Sequence, residues 1–259
     1  MNALAAVYGI IVRDVIRAFR QKGRLVGGLA RSFMWFLLVG TGYNAIARVE
    51  GVSSYQAFVY PGLVVMAMLF GAMLTSISTV YDREFGMLRL MLAGPAGVPA
   101  ILAGRAIAAT AIGIFQGGVL LICLPMVTSV TARQFANAVA ALGLGAAASS
   151  TLGLLVAAPL RSVENFASVI NVVLFPLFFL SGALYPTSRM PPGLRYIAQM
   201  NPVSHAVDLM RAALGQPSEF SAARSILVLI VTTVSAFLLT MLIFDPEHRF
   251  TLRDRPARR

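Results

Sequence analysis

Charge is scarce in this chain and unevenly placed. Only 12% of the 259 residues are Asp, Glu, Lys or Arg. No charge interrupts the stretches Glu50 to Asp82, Arg105 to Arg133, Arg133 to Arg161, Glu164 to Arg189, or Arg224 to Asp245. A water-soluble domain rarely carries so many long apolar runs, whereas a bilayer requires them, because charge in hydrocarbon is expensive. Lysine is scarcer still: Lys22 is the single one, and Gly23 follows it. A phosphate-binding P-loop needs Lys followed by Ser or Thr after a glycine-rich turn, so this chain carries no such ATPase motif. His205 and His248 are far apart, no HExxH occurs, and Cys123 is the lone cysteine. Metal chemistry and an intrachain disulfide are thereby excluded. Ser149 and Ser150 lie in a Gly/Ala-rich stretch with no His nearby in sequence, which favours packing over catalysis. No carboxylate falls at the centre of an apolar run, against ion-coupled antiport, and no polar repeat suggests a channel filter.

What is present is 58% hydrophobic residues and a formal charge of +11, from 21 basic and 10 acidic groups. The arginines gather beside the apolar runs and at the chain ends, which fits membrane anchoring and orientation rather than nucleic-acid binding. At roughly 20 residues per span, the runs predict an all-α polytopic protein with six transmembrane helices. They cover about 29–47, 58–79, 101–124, 134–157, 166–184 and 225–244. Gly143, Gly145, Ala147, Ser149, Ser150 and Gly153 in the fourth allow close helix approach. Arg105, near the start of the third, is expected to snorkel to the headgroups.

Between and before the spans lie three amphipathic segments. Residues 1–24 place Val12, Val15, Ile16 and Phe19 on one helical face and Arg13, Arg17 and Arg20 on another, as in an interfacial helix, with a bend expected at Gly23 and Gly27–Gly28. Residues 81–97 crowd Asp82, Arg83, Glu84 and Arg89 beside Phe85 and Leu88, predicting an interfacial helix that ends at Gly94–Pro95. Residues 185–222 read as two short helices dipping into the outer leaflet, where the spacing of His205, Asp208 and Arg211 permits contact and Asp208 is expected to pair with Arg211. An even span count and the arginine-rich ends put both termini in the cytoplasm by the positive-inside rule.

The segments FVYPGLVVMAMLFGAM (58–73), YDREFGMLRLMLAGPAG (81–97) and FFLSGALYPTSRMPPGLRYIAQMNPVSHAVDLMR (178–211) carry a resemblance. The layout resembles the permease subunit of type-2 ABC exporters, the bacterial and archaeal group that includes drug, polysaccharide, teichoic-acid and nodulation-factor exporters. The resemblance covers nearly the whole chain as one transmembrane domain, 1–259, in the prokaryotic inner membrane. It implies a second permease copy (a homodimer, or a heterodimer with a homologue) and two cytoplasmic ATPase subunits, which hold ATP and Mg; this chain binds no cofactor. Asp82, Arg83, Glu84, Phe85, Gly86, Leu88 and Arg89 match the family's coupling helix, with Arg13, Arg17 and Arg20 as the second ATPase-facing element. Phe33, Trp35, Phe36 and Tyr43 on span 1, and Asn171, Phe175, Phe178 and Phe179 on span 5, become path-lining or dimer-interface residues. Trp35 and Phe36 cannot both face one groove. His205, Asp208 and Arg211 become an outer cap. The short loops and modest aromatic content lean toward an amphiphilic drug or lipid-like substrate, with a lipid-linked polysaccharide or teichoic-acid precursor as the alternative.

Overall fold

A computed structural model describes residues 3–44, 54–94, 96–126 and 129–244. The exit of the first span beyond Asn44, Pro95 and the arginine-rich tail lie outside the described residues. Within them the chain is helical throughout. Helix α1 (Ala3–Arg20) is followed by α2 (Lys22–Trp35), which continues through a π-helical stretch, Phe36–Thr41, into a last turn, α3 (Gly42–Asn44). The bend falls at Gln21 (φ −85, ψ 60) rather than at the glycines, all of which lie inside α2. Gly28 instead serves packing. A Cβ there would come within 2.8 Å of Gln116 Oε1, so its absence lets α2 seat against the helix bearing Gln116.

Helix α4 (Tyr55–Thr75) turns at Ser76 into α5 (Ile77–Glu84); α6 (Met87–Ala93) follows after Gly86, whose φ of 76 is a left-handed conformation that favours glycine. The interfacial segment is therefore not one helix. Its first part completes the second span, and only α6 stands apart. Then come α7 (Val98–Cys123), α8 (Ala132–Ala157), α9 (Val163–Phe179), the short α10 (Pro192–Met200) and α11 (Pro202–Ala213), and α12 (Ala222–Ile243). The helix starts obey local chemistry. The Ser54, Ser162 and Ser221 hydroxyls cap α4, α9 and α12, and Thr131 forms a reciprocal capping box with Gln134 at α8.

Among the described residues, four helical stretches are long and apolar enough to cross a membrane: Tyr55–Glu84, Val98–Met126, Ala132–Ala157 and Ala222–Ile243. Of the other two expected spans, α9 is a shorter apolar helix of 17 residues and the first is the composite of α2, the π stretch and α3. Helix α4 is the core: nearly all of it is buried, packed against α2, α7, α8, α9 and α11. At the other extreme, α12 buries only Ser225, Leu229, Ala236 and Thr240, a single stripe at helical spacing, and turns most of its other Leu, Ile and Val side chains outward. Small residues set the helix spacing. A Cβ on Gly153 would lie 2.8 Å from Met73 Cα, so α8 meets the α4 backbone closely at that point. Helix α4 starts earlier than the apolar run implies, which puts Pro61 in its second turn. Proline cannot bond the carbonyl four residues back, and that carbonyl, Ala57 O, accepts instead from Gln216 Nε2 at 3.0 Å.

Candidate functional site

The last turn of α5 binds to four other helices. Asp82, 3% exposed, accepts from Arg13 (2.5 Å) and Arg17 (2.9 Å) of α1 and from Arg105 of α7 (2.6 Å). Arg105 does not snorkel to headgroups: it is buried, with Thr79 Oγ1 as a second acceptor at 3.1 Å. A carboxylate within helical reach made the interior the better site for its guanidinium. Arg13 also donates to Asp14 (2.8 Å) and to the Met91 sulfur of α6 (3.2 Å). Attraction to Asp14 and Asp82 outweighs the cost of burial and holds the Arg13 pKa above its ordinary value. In α1 it is Ile10, Asp14 and Ala18 that face inward, and Gly104 of α7 leaves room for Ile10. Ile16 and Phe19 stay exposed, and so does Arg20.

The next two residues bind α8 and α9. Arg83 Nη1 donates to Ala158 O and Leu160 O, both at 2.7 Å, just past the last turn of α8, and its guanidinium lies over the Phe244 ring. Glu84 Oε2 accepts from Val163 N at 2.8 Å, the first residue of α9. A cation at a helix C-terminus and an anion at an N-terminus both complement the helix dipole. Beyond Glu84 the surface opens. Phe85 is 69% and Leu90 68% exposed, with Met87 and Arg89 beside them, whereas Leu88 is 2% exposed and packs in its own chain's core with Ile10 and Ile101. Of Phe85 and Leu88, the apolar pair expected in the coupling helix, only Phe85 is at the surface, where the exposed leucine is Leu90.

A second region lies between α2, α4 and α9. Trp35 meets Phe179 edge to face (5.9 Å), while Phe36 turns to Tyr60 of α4 (5.3 Å), so the two neighbours face different partners as their spacing requires. Phe175 bridges Phe70 (6.0 Å) and Phe179 (6.2 Å). Phe33, Tyr43 and Asn171 are exposed, whereas Phe178 is buried in the core and cannot line a groove.

The third region is the α10–α11 end. His205 is fully buried between Ser225 Oγ (3.2 Å) and Gln199 O (3.0 Å), and burial pushes its pKa below the usual imidazole range. Asp208 and Arg211 form no ion pair with each other. Asp208 accepts the backbone N–H groups of Glu219 (2.6 Å) and Phe220 (3.1 Å), and burial raises its pKa despite them. Arg211 donates to Gly182 O (2.7 Å) and stacks on Phe58 (4.0 Å), with burial lowering its pKa to about 10. Each side chain closes a separate loop, and backbone groups of the turns win over the neighbour one helical turn away. Sequence reasoning missed Asp14, Thr79 and Met91 of the ionic cluster. Arg105 was the visible signal, as the one cation within an otherwise uncharged span.

The fold and these clusters define an all-α, multi-span membrane protein built around a wired interhelical turn rather than a reaction centre; among the described residues no group of His, Cys, Asp and Glu could hold a metal. The chain belongs to the ABC-2 type transporter family, whose sequence profile matches residues 5–214. The putative transport permease ycf38 of Cyanophora paradoxa is 27% identical over 250 residues, covering 92% of this chain and 84% of that protein. Nodulation protein J of Rhizobium leguminosarum bv. trifolii is 31% identical over 212 residues, covering 74% and 75% respectively. The probable multidrug ABC transporter permease YbhR of Escherichia coli (strain K12) is 27% identical over 164 residues, covering 61% of this chain and 43% of that protein. The chain is accordingly a membrane transport permease and not itself an enzyme.

Proposed function

We propose that this chain is the membrane half of an ATP-driven exporter, working as two permease copies with two cytoplasmic ABC ATPases that hold ATP and magnesium. Six spans carry the path: α2 with its continuation, α4–α5, α7, α8, α9 and α12. Both termini lie in the cytoplasm of an inner membrane, α1 lies along the inner interface, and α10–α11 form the outer cap. The cargo is an amphiphilic drug or lipid-like molecule.

The observation that carries this reading is the wiring of the α5 end. Three consecutive charged residues tie it to four helices: Asp82 to α1 and α7, Arg83 to the end of α8, and Glu84 to the start of α9. Just beyond them Phe85, Met87, Arg89 and Leu90 form an exposed apolar and basic surface. A push on that surface reaches α1, α7, α8 and α9 through short charged contacts, which is the transmission a separate motor needs. Exposed aromatic and arginine side chains are also the residue types that anchor protein interfaces.

The test is ATP hydrolysis by the reconstituted complex. The permease alone should hydrolyse nothing. With its ATPase, Phe85→Glu should abolish co-purification and substrate-stimulated hydrolysis while leaving the permease folded. Full stimulation with Phe85→Glu would refute the docking role. Glu84→Arg is the poorer probe, because Glu84 also caps α9.

A further inference from the structure

A pocket of about 440 Å³ opens where α8, α11 and α12 meet, and neither α2 nor α9 borders it. Its walls include Asn137, Ala140 and Leu144 of α8, Leu209 and Ala213 of α11, and Ile226 of α12. Hydrogen bonds between helix ends fix its mouth. Gln134 Nε2, in the first turn of α8, donates to Leu214 O at the end of α11 (3.1 Å). Gly215 turns the chain there with a φ of 73, and a Cβ on it would meet Gln134 Nε2 at 2.8 Å. Asp208 accepts from the N–H groups of Glu219 and Phe220 and so pins the loop that leads into α12. The pocket is therefore built, and its volume falls in the range of about 300–1,000 Å³ common to ligand sites.

A helix about 10 Å across fills roughly 400 Å³ in each 5.4 Å turn, so the pocket would seat only one turn of a partner helix. An extended apolar chain suits it better, because the wall from Asn137 to Leu144 runs about 10 Å along α8. The chemistry along that wall is ordered. Arg133, Asn137, Ala140 and Leu144 recur at helical spacing and share one face. Arg133, at the rim, is exposed and has no acceptor among the described residues. It stands in the first turn of α8, where a cation opposes the helix dipole and an anion suits it. Asn137, about 6 Å deeper along the axis, is exposed, and its amide has no partner among the described residues. Below it the wall is apolar. Cation, amide donor and apolar slot follow one another in the order of phosphate, glycerol ester and acyl chain.

We propose that this pocket holds one anionic glycerophospholipid, of the phosphatidylglycerol class, as a resident structural lipid and not as cargo. Arg133 binds the phosphate, Asn137 Nδ2 donates to an ester carbonyl, and one acyl chain fills the slot against α12. Helix α12 buries only a single stripe of its own surface, and the chain extends its contact with α8 and α11. A zwitterionic choline head brings a second cation toward Arg133 and binds less well. The site rests on the exporter reading only for the leaflet it faces, the outer one. Its test needs no ATPase, so its failure is distinguishable from failure of that reading.

The delipidated full-length protein in a non-ionic detergent would be titrated with phosphatidylglycerol, phosphatidylcholine and inorganic phosphate. Native mass spectrometry counts the bound lipid, and thermal unfolding is followed in parallel. Phosphatidylglycerol should bind as a single tight molecule per chain and raise the melting temperature. Phosphatidylcholine should bind several-fold more weakly, and inorganic phosphate should leave the melting temperature unchanged. Arg133→Gln should weaken phosphatidylglycerol binding about tenfold and remove the lipid-dependent rise, while the lipid-free protein melts as wild type. Arg195→Gln, at another exposed cation outside the pocket, should change neither. Ala140→Phe should fill the slot and lower occupancy with Arg133 intact. Equal binding of the two lipids, an equal rise with inorganic phosphate, an unchanged curve in Arg133→Gln or an equal loss in Arg195→Gln would overturn the site. So would an Ala140→Phe protein with altered oligomeric state and unchanged lipid binding, because the pocket would then be a protein contact.

Discussion

Replacing Asp82 with Asn should be among the most damaging isosteric changes available in this protein. The amide keeps the volume and loses the charge that three guanidiniums share. Arg13 and Arg17 are each 34% exposed, so water recovers much of what they lose, and each contributes on the order of 1 kcal/mol or less. Arg105 is different: its side chain is 1% exposed, and without the carboxylate it retains the Thr79 hydroxyl and the Met91 sulfur as partners. Removing one partner of a buried pair costs about 3–5 kcal/mol, because the other charge stays buried and uncompensated. The double change Asp82→Asn with Arg105→Met should recover most of that loss, since replacing both members of a buried pair by neutral groups of similar volume is often close to neutral. Thermal unfolding of the detergent-solubilised protein can be read with a thiol-reactive dye, because Cys123 is the sole cysteine and is half-buried on α7. A melting temperature for Asp82→Asn no lower than that of Arg17→Gln would refute the assignment of Asp82 as the centre of the cluster. So would a double variant no more stable than the single.

Other expectations follow from the same geometry. Gly153→Leu should block assembly of α8 on α4, because even a Cβ meets Met73 Cα at 2.8 Å; loss of monodisperse protein on size exclusion checks it, and Gly143→Ala, with open space around it, should be silent. Leu88→Ala should cost about 2–4 kcal/mol as a cavity in the core, while Phe85→Ala should leave the melting temperature unchanged and weaken ATPase association. His205, whose folded pKa lies below that of the unfolded chain, gives stability that is present above the ordinary imidazole pKa near 6.5 and is lost as pH falls below it. Asp208, facing the same loop with a pKa raised by burial, contributes with the opposite sign. A pH series of melting temperatures in which His205→Gln keeps the wild-type slope around pH 6 would remove His205 as the source.

The apolar runs made the long helices α4, α7, α8 and α12 legible, because hydrophobicity over a span length is a one-dimensional signal. The break at Gln21 was not legible: glycine is the usual signal for a bend, but Gly28 lies within α2 against the Gln116 side chain, and contact is a property of the fold. The same limit governs the charged residues. Asp208 and Arg211 have the spacing of an ion pair, yet each found a backbone partner in a distant turn, Asp208 at Glu219 and Phe220, Arg211 at Gly182. The crowded charges of residues 82–84 were visible as a break between apolar runs, but not their division of labour, with Asp82 turned inward and Phe85 outward.

The central claim is that the turn from α5 to α6 meets the motor and that α10–α11 lies on the opposite side of the membrane. Site-directed cross-linking tests it most directly. In a Cys123→Ala background, Leu90→Cys and Met200→Cys place single thiols on two exposed positions of α6 and α10. In sealed vesicles containing the permease and its ATPase, Leu90→Cys should cross-link to the ATPase and Met200→Cys should not, while a membrane-impermeant thiol reagent reaches the two positions from opposite faces. A cross-link from Met200→Cys with none from Leu90→Cys would contradict the account.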